Sequence, residues 1–220
     1  MANLNLTPSG LWFTAMTAGV TPTPATGPSS EAQIPERKPA ITNYVMDAES
    51  GSFRTEGAPA ELKHKKVSMA SLTADVVADA IIAFCGGHGD LVTNLRLQKL
   101  LYYAQSWFLA LHDKPLFTDP IVASDHGPLL PAVFGRFAVF GNGPILRTLG
   151  TWVFPRALSN HIDELMEVYG RFSAYDLERL SCDEEPWKSA RRSLENGGSG
   201  TISNDAMKHF YRLRINASQK

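Results

Sequence analysis

The feature that most constrains this 220-residue chain is an uneven distribution of proline and aromatic residues. Residues 1–68 hold seven of the 14 prolines but only four of the 21 aromatic side chains: Trp12, Phe13, Tyr44 and Phe53. The other 17 aromatics lie in residues 69–220. A core needs apolar area to offset the entropy of ordering the chain, and the proline-rich run Thr21–Ser30 has almost none. Residues 1–68 are therefore expected to be an extended or disordered extension, with Met69 as an alternative start. Residues 69–220 are expected to form the folded domain. The apolar stretch 11–20 is preceded by no Lys or Arg, so it lacks the basic region of a secretory signal.

From Ser71 onward the apolar spacing is helical. Thr73 is a candidate N-cap for a helix running to about Phe84, stopped by Gly86-Gly87. Thr93 is a candidate cap for a second helix over 94–112. There Leu97, Leu100, Leu101, Ala104, Trp107, Phe108 and Leu111 cover a wide arc, which predicts a central helix. Ile121-Val122-Ala123, framed by Pro120 and Pro128, reads as one strand of a small hairpin. Pro131 suits the first turn of a helix to about Val139. Ser159 is expected to cap a helix to Tyr169. Ser173 with Asp176 forms a capping-box pattern for 174–181. Pro186 opens a short helix through Arg192, and Ser203 caps a last one to about Ile215. The expected fold is mainly α, a single-domain bundle of six to seven helices with one small β-hairpin.

Charge is nearly balanced over the chain, at −1, which argues against bulk nucleic-acid binding. The balance has two parts: residues 69–185 carry eight basic and 14 acidic side chains, whereas residues 186–220 carry seven basic and two acidic. The basic end either folds against the acidic body or binds nucleic acid as part of a transcriptional regulator. No apolar run approaches the roughly 18 residues of a membrane span. Two cysteines, Cys85 and Cys182, cannot build a disulfide framework, and both are expected to stay reduced in a cytoplasm.

Signs of catalysis or of a cofactor are sparse. None of the common phosphate-loop, dinucleotide, zinc-protease or serine-hydrolase motifs is present. His88 with Asp90, and Asp125 with His126, sit in turn-like sequences, and the expectation is no metal site. Cys182 is followed by Asp183, Glu184 and Glu185, neighbours that disfavour a thiolate. The chain is therefore not expected to be an enzyme, and no cofactor is expected.

One stretch is more specific. Thr93 to Gln105 (TNLRLQKLLYYAQ) and then Trp107 resemble a helix of the Panacea-domain, SocA-like antitoxin family. Lys114–Phe117, His126-Gly127-Pro128 with Pro131 and Phe134, Leu177–Trp187 (LERLSCDEEPW) and Ile202–Tyr211 resemble further segments of that family in the same order. The resemblance spans about residues 72–215. Two departures are Cys182, where the family usually has His, and Leu129 in place of Val. The resemblance implies an antitoxin that binds a small protein toxin encoded nearby, with an ATP-dependent protease as a further partner if it acts as an adaptor. Most of these motif residues have core spacing. Those a core does not need are Gln98, Lys99, Tyr102, His126 and Glu185, which with Trp187 are the candidate partner-binding residues.

Overall fold

The helix that begins at Thr93 is the element against which most others are laid. In the computed structural model, which describes residues 44–46, 53–55, 65–146 and 152–217, the helices are α1 (Ala74–Gly87), α2 (Asn94–His112), α3 (Pro131–Arg136), α4 (Arg156–Tyr169), α5 (Ala174–Cys182), α6 (Glu185–Glu195) and α7 (Asn204–Ala217). Among the described residues six short strands pair two by two. These are β1 (Tyr44–Met46) with β2 (Phe53–Thr55), antiparallel; β3 (Lys65–Lys66) with β6 (Trp152–Val153), parallel; and β4 (Val122–Ser124) with β5 (Gly127–Leu129), antiparallel. Helices α1, α4, α5 and α7 and strand β5 all approach α2.

The caps act locally, as the sequence predicts. The hydroxyls of Thr73 and Thr93 accept from the amides of Val76 and Arg96. Ser173 and Asp176 form a full capping box, and Ser203 Oγ accepts from Ala206 N–H. Each satisfies an amide that the first helical turn leaves without an intrahelical partner.

Helix α2 is buried along almost its whole length, including its polar side chains. Such groups are tolerated in a core only when their hydrogen bonds are made. Gln98 Oε1 accepts from Leu130 N–H at 2.9 Å, while its Nε2 donates to Asn94. Gln105 Oε1 accepts from the amides of Leu116 and Phe117, and its Nε2 donates to the Phe117 carbonyl. Arg96 reaches Asp90 at 2.7 Å and the carbonyl of Gly170, at the end of α4. The polar residues of α2 thus pin the loops that surround it.

Several boundaries differ from the sequence expectation. Helix α4 starts at Arg156, after Pro155, and Ser159 lies inside it. Leu158 extends the buried stripe of Ile162, Leu165, Met166 and Tyr169 by one turn, and that packing sets the start. Helix α1 runs through Gly86-Gly87 and ends at His88. Helix α3 stops at Arg136 and continues as a 3-10 turn, Ala138–Phe140, ended by Gly141 at φ 54°. The first hairpin strand is shifted by one residue, to Val122–Ser124. The expected hairpin is β4–β5, and among the described residues two further strand pairs recruit residues before Met69. Strand β1 runs beside α1, and Val67 is buried in the core. The run Thr21–Ser30 and the apolar stretch 11–20 lie outside the described residues.

Candidate partner-binding face

The six candidate residues divide into an interior set and a surface set. Gln98, Lys99 and Tyr102 are fully buried. Their chemistry is directed inward, so a ligand approaching the surface meets none of them. His126, Glu185 and Trp187 lie around one turn and one helix, and His126 and Glu185 are exposed.

Lys99 links the two sets. Its ammonium donates to the carbonyls of His126 and Pro128, the latter at 2.9 Å. It is therefore planted beneath the β4–β5 turn. Burial pulls its pKa down to about 8, against the opposing pull of Cys182 and Glu178. Gly127 makes the close approach feasible. A Cβ there would lie 3.0 Å from Lys99 Nζ, 3.1 Å from Ser181 Oγ and 3.3 Å from Cys182 Sγ, and its φ is +87°. Only glycine adopts that backbone without strain in so little space.

With the turn fixed from below, His126 projects outward and its Nδ1 lies 3.1 Å from Glu178 of α5. The neighbouring Asp125 pairs with Arg191 of α6. Trp187 is half-buried, and its indole N–H donates to the Ser124 carbonyl at 3.2 Å. Tyr175 lies one helical turn before Glu178 on α5 and is 72% exposed. The turn therefore brings His126, Trp187 and Arg191 together, with the exposed Tyr175 one turn of α5 from the partner of His126. Aromatic and Arg side chains of this kind supply most anchoring contacts in protein interfaces. Glu185, in the first turn of α6, pairs with Arg192 at its edge.

The structure also marks a residue that the sequence reading passed over. Glu184, not its neighbour Glu185, is the acid the fold is built around. It is buried and accepts from the hydroxyls of Tyr102 (2.8 Å) and Tyr211 (2.9 and 2.8 Å) and from Arg214 (3.2 Å). Burial raises its pKa to about 7, with Arg214 and the two hydroxyls pulling it back down.

Two other expectations concern charge and reactivity. Most of the basic end is spent on acids of the chain itself. Lys188 pairs with Asp183, Arg191 with Asp125 and Glu195, Arg192 with Glu185, Lys208 and Arg212 with Asp113, and Arg214 with Glu184. Cys182 has a raised pKa, first because of burial, with Glu178 and Asp183 adding to it and Lys99 and Arg191 opposing. A thiol so placed is a poor nucleophile. Among the described residues no group of three or more His, Cys, Asp or Glu side chains could hold a metal ion. Among the same residues no helix is long and apolar enough to cross a membrane.

The helix α2 to α6 region, residues 97–188, matches the family model described as Antitoxin SocA-like, Panacea domain. The chain is also 30% identical over 132 residues to Antitoxin SocA of Caulobacter vibrioides (strain NA1000 / CB15N), covering 53% of this chain and 69% of that relative. The chain belongs to the SocA-like antitoxin family. No solved structure matches it. Within the family match lie Lys99, the planted hairpin turn, Glu184 and Trp187.

Proposed function

We propose that this protein is an antitoxin that neutralises a small protein toxin by binding it directly, through the face formed by the β4–β5 turn, α5 and α6. Family membership supports the antitoxin role. The observation that carries the choice of face is the buried Lys99, which fixes the turn and so presents His126 beside Tyr175, Trp187 and Arg191. Ordering this loop before binding lowers the entropy lost in forming a complex. In this reading residues 69–220 are the toxin-binding domain, residues 1–68 are an extension to it, and the protein works in the cytoplasm without catalysing a reaction. Delivery of the bound toxin to an ATP-dependent protease is the additional step an adaptor would perform.

The alternative reading, a nucleic-acid-binding regulator, rests on the basic C-terminal end. That end is largely neutralised by intramolecular ion pairs, which leaves little free charge to displace counterions from a phosphate backbone. Co-expression with the small protein encoded beside it tests the first reading. A stable complex that relieves growth arrest is expected. Failure to bind, or to relieve arrest, contradicts it.

A further inference from the structure

Helix α7 is attached to the bundle differently at its two ends. Its near end is fixed by the segment that leads into it. Thr201 bridges Val122 of β4, Ala123 N–H donates to Gly200 O at 2.8 Å, and Ile202 N–H donates to Ile121 O at 2.8 Å. Beyond Ser203 the helix buries only Met207 and Tyr211 completely. Phe210 and Ile215 add half-buried apolar contacts, Arg212 Nε donates to the Ala110 carbonyl at 3.3 Å, and the other contacts of this half are ion pairs and hydrogen bonds. Lys208 and Arg212 meet the exposed Asp113 at 3.2 and 3.3 Å, a contact open to solvent and to salt. Tyr211 and Arg214 close on the buried Glu184, which belongs to the α5–α6 junction. Beneath this joint the buried Tyr103 hydroxyl has no hydrogen-bond partner among the described residues, a cost that water would relieve once the joint opened.

We propose that the far half of α7 is a strap, tethered at Gly200–Ile202 and latched by Glu184, that loosens as pH rises and uncovers the Tyr102 and Trp107 side of α2. The Trp107 ring now packs edge-on against Tyr211, with centroids 4.7 Å apart. Both Tyr102 and Trp107 are fully covered in the latched state.

The direction follows from proton linkage. The groups that face Glu184 are Tyr102 and Tyr103 from α2, Tyr169 from α4, and Tyr211 and Arg214 from α7. Every tyrosine among them is held above its ordinary pKa by burial, so none ionises near neutral pH. Arg214 stays charged. Glu184 is the group left to titrate, at about 7 when latched and near its ordinary 4.5 when α7 lifts and water reaches it. Latching therefore takes up a proton between those values. The latched-to-open ratio falls by up to about tenfold per pH unit in that window, then levels off above pH 7.

Hydrogen–deuterium exchange on the full chain at pH 5, 6, 7 and 8, corrected for intrinsic rates, tests this. Amides of Tyr211–Ala217 should lose protection relative to those of α4 as pH rises to 7. Glu184→Gln should flatten that dependence. Tyr211→Phe should loosen the strap at every pH while keeping the slope, which provides a second reading if Glu184→Gln fails to fold. If Tyr211–Ala217 and α4 keep a constant ratio of protection at all four pH values, the strap is overturned. A slope that persists unchanged in Glu184→Gln overturns the latch.

Discussion

The hydroxyl of Tyr102 donates to Oε2 of Glu184 at 2.8 Å, joining two fully enclosed groups 82 residues apart in sequence. Tyr102 sits mid-way along α2, and Glu184 occupies the position just before α6, with its carboxylate turned into the core rather than onto the helix amides. This bond, with those from Tyr211 and Arg214, ties α2, α6 and α7 at one buried point.

Tyr102→Phe keeps the ring packing and removes one donor from a buried acid. The expected loss is about 1.5–3 kcal/mol, the range for hydrogen bonds to charged groups. Urea unfolding at neutral pH measures it. A loss below about 0.5 kcal/mol would show that Glu184 finds a replacement donor.

Trp107 is fully buried, and its indole N–H donates to the Tyr169 hydroxyl at 3.1 Å. Trp107→Ala should cost about 3–5 kcal/mol through the cavity left behind. An effect near zero in thermal or urea unfolding would place this side chain outside the core.

Gly127→Ala should destabilise the protein by about 1–3 kcal/mol, because φ +87° is strained for an L side chain and the new Cβ presses on Lys99. It should also disturb the His126–Glu178 pair, which the NMR chemical shifts of the His126 ring would register. Unchanged stability would mean that the turn can shift without cost.

Two buried groups give opposite pH slopes. Glu184 has a raised pKa when folded, so its contribution makes the protein less stable as pH rises from about 4.5 to about 7. His161 is enclosed beside Phe108, 2.9 Å from the Ala104 carbonyl, and burial lowers its pKa from 6.5 to about 4. The folded state then binds fewer protons, so its contribution is lost as pH falls through that range. The two slopes oppose each other where the windows overlap. Glu184→Gln should expose the His161 slope, with stability falling towards acid. His161→Gln should expose the opposite slope. Urea midpoints from pH 4.5 to 7 decide this, and variants that match the wild-type profile would refute both assignments.

What was legible in the sequence was what local chemistry decides. Thr73, Thr93, Ser173 with Asp176, and Ser203 each cap by bonding an amide a few residues away, so the pattern reads directly from spacing. The apolar arc of α2 marks it as central for the same reason. The remainder depends on distant partners. Lys99 looks like a surface cation until the carbonyls of the hairpin turn, 27 and 29 residues on, are brought over it. Glu184 looks like one of three adjacent acids until α2 and α7 converge on it. The parallel pairing of Lys65–Lys66 with Trp152–Val153 has no short-range signal at all. Of the proposed face, the sequence reading contains His126, Glu185 and Trp187 but not the reason they share a surface.

The most direct test is calorimetric titration of the purified protein with the product of the adjacent gene, comparing wild type with a His126→Ala, Tyr175→Ala, Glu185→Arg triple variant. All three side chains are exposed, so thermal unfolding should be nearly unchanged. The proposed binding face predicts a stable complex for wild type and an affinity at least about tenfold weaker for the variant, equivalent to about 1.4 kcal/mol. Equal affinity for the two proteins, or no complex with either, would contradict it.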